Sequence, residues 1–418
     1  MLHALVVVLL GVTAPFTLAD TRVDLPRGRA VWLTGEWTSR SELWADASLA
    51  FRRKDRDLLV LDGGTHQPRL VYTYPDRAWS RTCGPAWSAN GTACYVWLDV
   101  HEQLVAMDRD SGHRRSLTNI PTHSWNEKGD QHLDGGPVWR RNGIVDDSAA
   151  GLLLFVTREE RNDQVAFWQK RSGRGGTSLM ALDPEDGSTV ALAAKGTLPE
   201  VTLSWELSLS RKRLFIVSNP AGKYRPGEPH DLDERRLDGH VEREFDEPAG
   251  TAGDLALSPD ERWLLVERLY KVGKEIPAVQ LDDYTRKDFD VLFEAEHGGF
   301  VLIDLDSGEV TDGPASGTEA AWASDNRRIA YVDGWDVNVY DRESQTTTQL
   351  IRGGPEERNW SWETWYEPTW SASGRRLALT TGGDGSMLLL DLDTREFMLV
   401  DIQATGKLWA PVPKLFGG

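Results

Sequence analysis

Short apolar triplets, each preceded by a large anchor residue, recur along this chain. Six residues that contain a turn separate the two, as between Trp322 and the triplet Ile329-Ala330-Tyr331. The spacing lengthens in the third copy and shortens in the first, and the anchors are Trp44, Trp87, Trp139, Leu207, Leu257, Trp322 and Trp370. Repetition of this kind is typical of stacked, self-similar units.

A second landmark follows the triplets, where an apolar run ends in Asp and a polar turn. Ile303-Asp304 before Ser307-Gly308 is one example. Asp accepts backbone N–H bonds in a tight turn, and Gly supplies a positive φ there. Only the unit after Leu207 lacks this landmark, and the others have it at Asp62, Asp108, Asp183, Asp304, Asp341 and Asp391. The pattern predicts four short strands per unit, with turns between the first and second and between the third and fourth.

Units of four antiparallel strands predict an all-β protein, a single β-propeller of about seven four-stranded blades over residues 20–418. A lone blade has two apolar faces and cannot bury them, so neighbouring blades must stack. We expect the Trp anchors to lie between blades, where each buried ring stabilises the fold by roughly 2–3 kcal/mol.

The repeat strings also resemble a known family. W-S-A-S-G-R-R-L-A-L at 370–379, W-A-S-D-N-R-R-I-A-Y at 322–331 and L-S-P-D-E-R-W-L-L-V at 257–266 are similar to the W-S-P-D-G-K-x-I-A-F repeat of TolB-type, WD40-like propellers. That repeat occurs in periplasmic scaffold proteins and in the propeller domains of prolyl oligopeptidase and dipeptidyl-peptidase relatives. The resemblance implies the fold and a scaffold role, but the matching residues build blades rather than sites.

The N-terminus predicts export. Leu2 to Val12 is a short apolar run, and Thr17-Leu18-Ala19 precedes Asp20, which is the layout of a signal peptide over residues 1–19. The run is shorter than the roughly 20 residues that a membrane span needs, and no later segment is long enough. We therefore expect a periplasmic or secreted protein without a membrane span after cleavage.

The net charge restricts the classes of partner, and the two cysteines raise the question of a disulfide. The net charge of −18 repels phosphate backbones and argues against nucleic acid. It permits a protein or glycan partner. Cys83 and Cys94 could form a disulfide after export. However, a turn at Asn90-Gly91 would make Cys94 face residues near Trp87 rather than Cys83, so Cys83 would have to curl back for the disulfide to form.

Long insertions fall between the second and third strands of units and in the links between units. Both kinds of connection emerge on one side of a propeller. The insertions are 158–177, 219–248 and 271–297, and the links are 119–137 and 352–368. Long loops in a compact domain are often functional, so this side is either a binding face or a cap over the ring.

Two of these links supply candidate binding residues. Aromatics beside carboxylates suit stacking on sugar rings or cations, although they could equally plug the channel. The other link contains histidines beside aspartates, which could bind a metal ion. Their irregular spacing argues against such a site. The candidate binding-face residues are Trp125, His132, Trp360, Trp362, Glu363, Trp365 and Tyr366.

Three successive anchors have an acidic residue three positions earlier, at Asp254, Glu319 and Glu367. Because the innermost strand begins there, these carboxylates could line the channel mouth. They would then bind a cation or an amine, with pKa values raised by mutual repulsion. Hydrogen bonding to the backbone of the adjacent blade is the alternative.

Catalytic motifs are not evident. The sequence has no G-x-S-x-G nucleophile elbow, which excludes a peptidase of the hydrolase type. Nor does it contain a phosphate loop, Cys/His zinc pattern or EF-hand loop. We therefore predict a non-catalytic binding or protein-interaction scaffold without cofactor. The alternative is a carbohydrate-active propeller, a lyase or glycosidase, that uses the aromatic and acidic face with a divalent cation.

Overall fold

The structure is a computed structural model. It describes residues 20–26, 30–53, 57–73, 86–87, 93–98, 103–118, 145–147, 152–158, 177–183, 188–193, 202–208, 210–218, 231–245, 251–270, 296–353, 365–381, 386–401 and 404–409.

These residues form strands and turns and contain no α-helix. The strands in chain order are β1 Thr21–Asp24, β2 Ala30–Leu33, β3 Thr38–Ser39, β4 Ser48–Arg53, β5 Asp57–Asp62, β6 Arg69–Thr73, β7 Ala86–Trp87, β8 Ala93–Leu98, β9 Gln103–Asp108, β10 Arg114–Thr118, β11 Val145–Asp147, β12 Leu152–Arg158, β13 Thr177–Leu182, β14 Thr189–Ala193, β15 Thr202–Ser208, β16 Arg213–Ser218, β17 Asp231–Arg236, β18 Val241–Phe245, β19 Thr251–Leu257, β20 Trp263–Tyr270, β21 Glu296–Asp304, β22 Val310–Asp312, β23 Thr318–Trp322, β24 Arg328–Asp333, β25 Asp336–Asp341, β26 Thr346–Gly353, β27 Trp365–Trp370, β28 Arg376–Thr381, β29 Met387–Asp391, β30 Glu396–Val400 and β31 Ala404–Trp409.

The strands assemble into seven sheets, each built on four antiparallel strands in meander order. We number these units by chain order and call their strands first to fourth. They are unit 1 (β31-β4-β5-β6), unit 2 (β7 to β10), unit 3 (β11 to β14), unit 4 (β15 to β18), unit 5 (β19 to β22), unit 6 (β23 to β26) and unit 7 (β27 to β30). The prediction of an all-β protein is confirmed.

The repeat spacing reappears as strand register. Trp322 lies opposite Ile329, and Trp370 lies opposite Leu377. The same relation holds in three further units, at Trp87 and Cys94, Leu207 and Leu214, and Leu257 and Leu264. Each of these five anchors therefore lies at the end of a first strand, opposite the first triplet residue of the second strand.

Alternate residues of each triplet face opposite neighbours, as the period of a strand requires. In unit 5, Leu264 and Val266 pack with the buried side chains of unit 4, whereas Leu265 packs with those of unit 6. In unit 7, Leu377 and Leu379 likewise face unit 6, and Ala378 faces unit 1. A second strand is thus buried on both sides, which explains why the triplets lack polar residues.

Shared apolar clusters join consecutive units. They connect unit 4 with 5, 5 with 6, 6 with 7, 7 with 1, and 1 with 2. The first strands of units 2 and 3 are also in contact. Packing of sheet against sheet in chain order is propeller-like.

The anchor indoles bind the unit before them. Trp322 Nε1 donates a hydrogen bond of 3.0 Å to the carbonyl oxygen of Ala256. Trp370 Nε1 repeats it at 3.0 Å to Ala321. Both rings are buried, as expected for anchors between blades, and each acceptor directly precedes the anchor of the previous unit.

Unit 1 departs from the prediction because the C-terminal strand β31 supplies its first strand. Trp409 lies opposite Leu49, so Trp409 rather than Trp44 holds the anchor register. Trp44 lies before β4 and still packs between units 7 and 1, with its Nε1 3.0 Å from Glu396 Oε2. Its burial explains why it resembles an anchor in the sequence.

Units 3 and 4 also differ in detail. In unit 3, Asp146 lies opposite Leu153 at the anchor register, and Trp139 lies outside the described residues. In unit 4, strands β17 and β18 lie within the expected insertion 219–248. The pattern of apolar residues did not predict these two strands, because they are rich in charged residues. Asp233 is nevertheless buried and paired with Arg235.

An N-terminal segment, described at residues 20–26 and 30–39, runs along the outer edges of units 6 and 7, and we call it the strap. Its strands β1 and β2 form a hairpin, and β2 pairs with β26. Its strand β3 pairs in parallel with β30. Val23, Val31 and Trp37 bury their side chains in the core of units 6 and 7.

Candidate functional site

The meander divides the connections of each unit between two faces. Turns between first and second strands and between third and fourth strands lie at one edge of the sheet, here called the turn face. Connections between second and third strands, and the links between units, lie at the opposite edge, here called the loop face. The described strands that flank the long connections 159–176, 271–295 and 354–364 all end or begin at the loop face.

Five of the seven predicted binding-face residues fall in the links between units 2 and 3 and between units 6 and 7. Trp125, His132, Trp360, Trp362 and Glu363 lie outside the described residues. Trp365 and Tyr366 open β27, where their backbone pairs with Thr381 and Thr380 of β28. Strand β27 therefore starts at the loop face, directly after the link 354–364.

The three predicted channel-mouth carboxylates share one backbone feature. Glu319 and Ala320 lie together opposite a single residue of β24, so β23 contains a β-bulge. The same irregularity occurs in β19 at Asp254 and in β27 at Glu367. Bulges re-aim side chains and occur often beside functional sites.

Glu319 has a left-handed backbone, with φ of 52°, and its side chain is half-buried. Strands β19, β23 and β27 contact one another in order, which brings the three acidic positions to the same level of adjacent first strands. Within the described part of the chain, no three His, Cys, Asp or Glu side chains lie close enough to hold a metal ion.

The backbone register also bears on the cysteines. Cys94 on β8 lies opposite Trp87, as the turn at Asn90-Gly91 predicts. Cys83 lies outside the described residues, so the disulfide stays a prediction.

On the turn face, the aspartates that end the third strands organise the turns that follow. Asp341 accepts backbone N–H bonds of 3.0 Å from Glu343 and 3.1 Å from Ser344. In four of these turns the residue four positions after the aspartate has a positive φ, at Gly112, Gly308, Gln345 and Arg395, whereas after Asp62 the residue with positive φ is Gly64. The predicted role of Asp in these turns is confirmed.

The same contacts hold these carboxylates in the ionised state. A hydrogen bond from Arg327, strengthened by backbone N–H bonds, lowers the pKa of Asp341 to about 2. A hydrogen bond from Arg262 lowers the pKa of Asp304, and one from the Ser111 side chain lowers the pKa of Asp108. Low pKa values here follow from structural bonding and not from a catalytic arrangement.

The turns between first and second strands join each unit to the one before it. Asn326, with φ of 58°, accepts the Asp260 N–H at 2.8 Å. Glu261, with φ of 57°, accepts the Ser208 hydroxyl at 2.7 Å. These inter-unit bonds compensate the strain of a left-handed backbone, and the sequence offers no signal for them beyond the turn itself.

Arginines on the second strands cover the aromatic rings of the next unit. The Arg328 guanidinium lies 5.2 Å from the ring of Trp370 and donates to the Gly374 carbonyl. Arg376 lies 5.0 Å from the ring of Trp44 and binds Asp46 and the fully buried Asp391. Arg328 and Arg376 therefore join units on the turn face, and the candidate functional site is the loop face, where the long connections begin and end.

Comparison with known proteins agrees with the fold. No protein-family model and no curated protein matches the chain. Among solved structures, it is similar to an oligogalacturonate lyase in complex with manganese, at 12% identity over 92% of this chain and 96% of that chain, with a TM-score of 0.52. The oligogalacturonate lyase from Vibrio parahaemolyticus has 12% identity over 90% and 96%, with a TM-score of 0.53.

TolB from Acinetobacter baumannii also matches, at 13% identity over 87% of this chain and 67% of that chain, with a TM-score of 0.41. At these identities the likenesses concern the fold alone. The resemblance to TolB-type, WD40-like propellers is confirmed at that level.

Proposed function

We propose that the chain is a single closed propeller of seven blades that acts as a non-catalytic binding or protein-interaction scaffold. Each unit described above is one blade, and β31 closes the ring in unit 1. We further propose export after removal of residues 1–19, to the periplasm or the extracellular space. In the described residues, no helix has the length and hydropathy needed to cross a bilayer.

One observation carries the scaffold role: the two faces are built differently. On the turn face, short turns bind the neighbouring unit, as Asn326 and Arg328 do. At the loop face, the described strands lead into the long connections 159–176, 271–295 and 354–364. A rigid frame that displays long segments on one side is the usual arrangement of a binding protein.

Site-specific photo-crosslinking in the native host tests this proposal. A photoreactive phenylalanine analogue replaces Trp360 or Trp362 on the loop face. Matched probes at Gln345 and Asp110, both exposed on the turn face, serve as controls. We expect one discrete protein adduct from the loop-face probes and none from the controls. Adducts of equal yield from both faces, or from neither, would contradict the proposal.

The acidic bulges favour a second candidate function, a carbohydrate-active propeller. They bring Asp254, Glu319 and Glu367 to one level beside the start of the aromatic link. The lyases of similar fold act on oligogalacturonate, and one binds manganese. Incubation with oligogalacturonate and Mn²⁺, with unsaturated products followed by ultraviolet absorbance, separates the two functions. Product formation that disappears in Glu319→Gln would replace the scaffold with the lyase.

A further inference from the structure

Residues 40–47 lead from the strap into β4 and lie between units 7 and 1, and we call them the clamp. The clamp backbone bonds both units. The Arg40 N–H donates a hydrogen bond of 2.7 Å to the carbonyl oxygen of Phe397 in unit 7, and the Leu43 N–H donates one of 2.8 Å to that of Thr65 in unit 1. The clamp therefore joins the two units from the N-terminal side, whereas β31 completes unit 1 from the C-terminal side.

Side-chain hydrogen bonds across this joint end on carboxylates. Glu396 of unit 7 accepts 3.0 Å bonds from Arg40 and from Trp44 Nε1. In the opposite direction, Asp46 of the clamp accepts a 2.6 Å bond from Arg376 of unit 7. The buried Trp44 ring has a guanidinium 5.7 Å away at Arg40 and another 5.0 Å away at Arg376. Each side thus contributes one carboxylate and one guanidinium.

Further charged groups surround the two carboxylates. Those near Asp46 are Arg375, Arg376, Asp391 and Asp393. Asp391 is fully buried and stays bonded to Arg376 at 2.9 Å, so Arg376 keeps one partner if Asp46 is lost. Among the described residues, Arg40 supplies the charge opposite Glu396. The adjacent Arg395 lies 5.2 Å from the ring of Trp37 instead.

The joints between units 5 and 6 and between units 6 and 7 use neutral acceptors at the corresponding bonds. Trp322 and Trp370 donate to backbone carbonyls of the preceding unit. The Asp260 N–H donates to the side-chain oxygen of Asn326, and Arg328 donates to a carbonyl. None of these acceptors titrates, so the joint between units 7 and 1 differs from them in its response to acid.

We infer that the clamp is a pH-sensitive device, closed while Asp46 and Glu396 are ionised and released between units 7 and 1 once both carry a proton. Protonation removes the charge that strengthens the bonds from Arg40 and Arg376. Unit 1 keeps its fold on release, because β4 stays paired with β31. The device is therefore a movable joint between two folded units.

The pKa directions of both carboxyls agree with this device. The hydrogen bond from Arg376 lowers the pKa of Asp46, and the bonds from Trp44 and Thr394 lower the pKa of Glu396. The corresponding unfolded values are about 3.9 for Asp and about 4.3 for Glu. Because the folded values are lower, the clamp is complete above the unfolded values and is lost as the pH falls through the folded ones.

Neutralising substitutions test the inference at about pH 7 by hydrogen exchange. Asp46→Asn and Glu396→Gln, combined in one chain, keep the shapes of both side chains and remove both charges. We expect the Arg40 amide, which donates across the joint, to exchange at least about tenfold faster, with the amides of β4 unchanged. The matched control is Glu343→Gln, because Glu343 pairs with Arg327 within unit 6.

Acid titration of the unsubstituted chain provides a second readout. Nitrogen-15 spectra follow the indole N–H of Trp44, assigned with Trp44→Phe, and those of Trp322 and Trp370 serve as references because they bind carbonyls. The Trp44 resonance should move below about pH 4 while both references stay in place. In Glu396→Gln that movement should be absent.

Three results would overturn the inference. They are unchanged Arg40 exchange in the folded double variant, equal acceleration in Glu343→Gln or at β4, and movement of all three indole resonances together. Should the double variant fail to fold, the indole titration decides alone. No ligand enters either measurement, so failure of the proposed function leaves both readouts unaffected.

Discussion

The backbone N–H of Asp260 donates a 2.8 Å hydrogen bond to the side chain of Asn326 in the following unit. The acceptor has a left-handed backbone at φ of 58°. A single residue thus forms the turn of one unit and the joint to the previous one. Its two roles are separable by substitution.

Asn326→Ala removes the acceptor and leaves a residue that tolerates a left-handed backbone poorly. We expect a loss of about 2 kcal/mol in the free energy of unfolding, from one hydrogen bond and the backbone strain together. Asn326→Gly removes only the hydrogen bond and should cost about half as much. Urea unfolding followed by tryptophan fluorescence measures both, and equal losses would mean that the strain is absent.

Gln345 occupies a left-handed position with φ of 55°, where two other units have glycine. Its side chain is exposed, so Gln345→Gly should raise the free energy of unfolding by about 0.5 kcal/mol. The reverse change, Gly308→Ala, should lower it by about 1 kcal/mol, since φ is 78° and a Cβ would lie 3.1 Å from the Arg243 guanidinium. Thermal unfolding of the pair should show melting temperatures that move in opposite directions.

Acid should weaken the turn face before it affects the apolar core. The pKa of Asp341 is lowered to about 2 in the folded chain, against about 3.9 when unfolded. A lowered folded pKa means that this stabilisation is complete above about pH 4 and is lost as the pH falls towards 2. Equilibrium unfolding across this range should show a steeper decline in the wild type than in Asp341→Asn.

Arg327→Gln provides the matched test for that pH dependence, since Arg327 donates the main hydrogen bond to Asp341. It should flatten the decline almost as much as Asp341→Asn, and the double variant should add little more. A profile in Arg327→Gln that coincides with the wild type would show that the low pKa has another cause.

Removal of residues 402–418 should abolish closure of unit 1. Strand β4 would lose its partner β31, and its exposed edge should promote aggregation. Size-exclusion chromatography and near-ultraviolet circular dichroism report the loss. The control lacks only residues 410–418 and should behave as the full chain, while a synthetic 402–418 peptide added in trans should restore the monomer. A monomeric, folded truncation without the peptide would refute the closed ring.

The spacing of residues in the sequence predicted the features that form between strands adjacent along the chain. The anchor and triplet of unit 7, Trp370 and Leu377, lie in one hairpin, so their separation in sequence is also their register. The turn aspartates are equally local, because Asp304 bonds the N–H groups of residues two and three positions later.

Contacts between distant segments were not predictable in this way. Trp409 pairs with Leu49, so this contact joins residues that are separated by most of the chain. The hydrogen bond between Asp20 and Arg352 also joins residues far apart in the sequence. The charged strand β17 escaped recognition for a different reason. Its buried Asp233 is neutralised by Arg235, which a pattern of apolar and polar residues does not register.

The position of β31 has a consequence for how the protein is made. Translation proceeds from the N-terminus, so β4 is synthesised long before β31, the strand that pairs with it. Until β31 has been synthesised, unit 1 lacks its first strand and one edge of β4 has no partner. Complete folding of the unit that contains the earliest four-stranded sheet therefore depends on a strand made long after it.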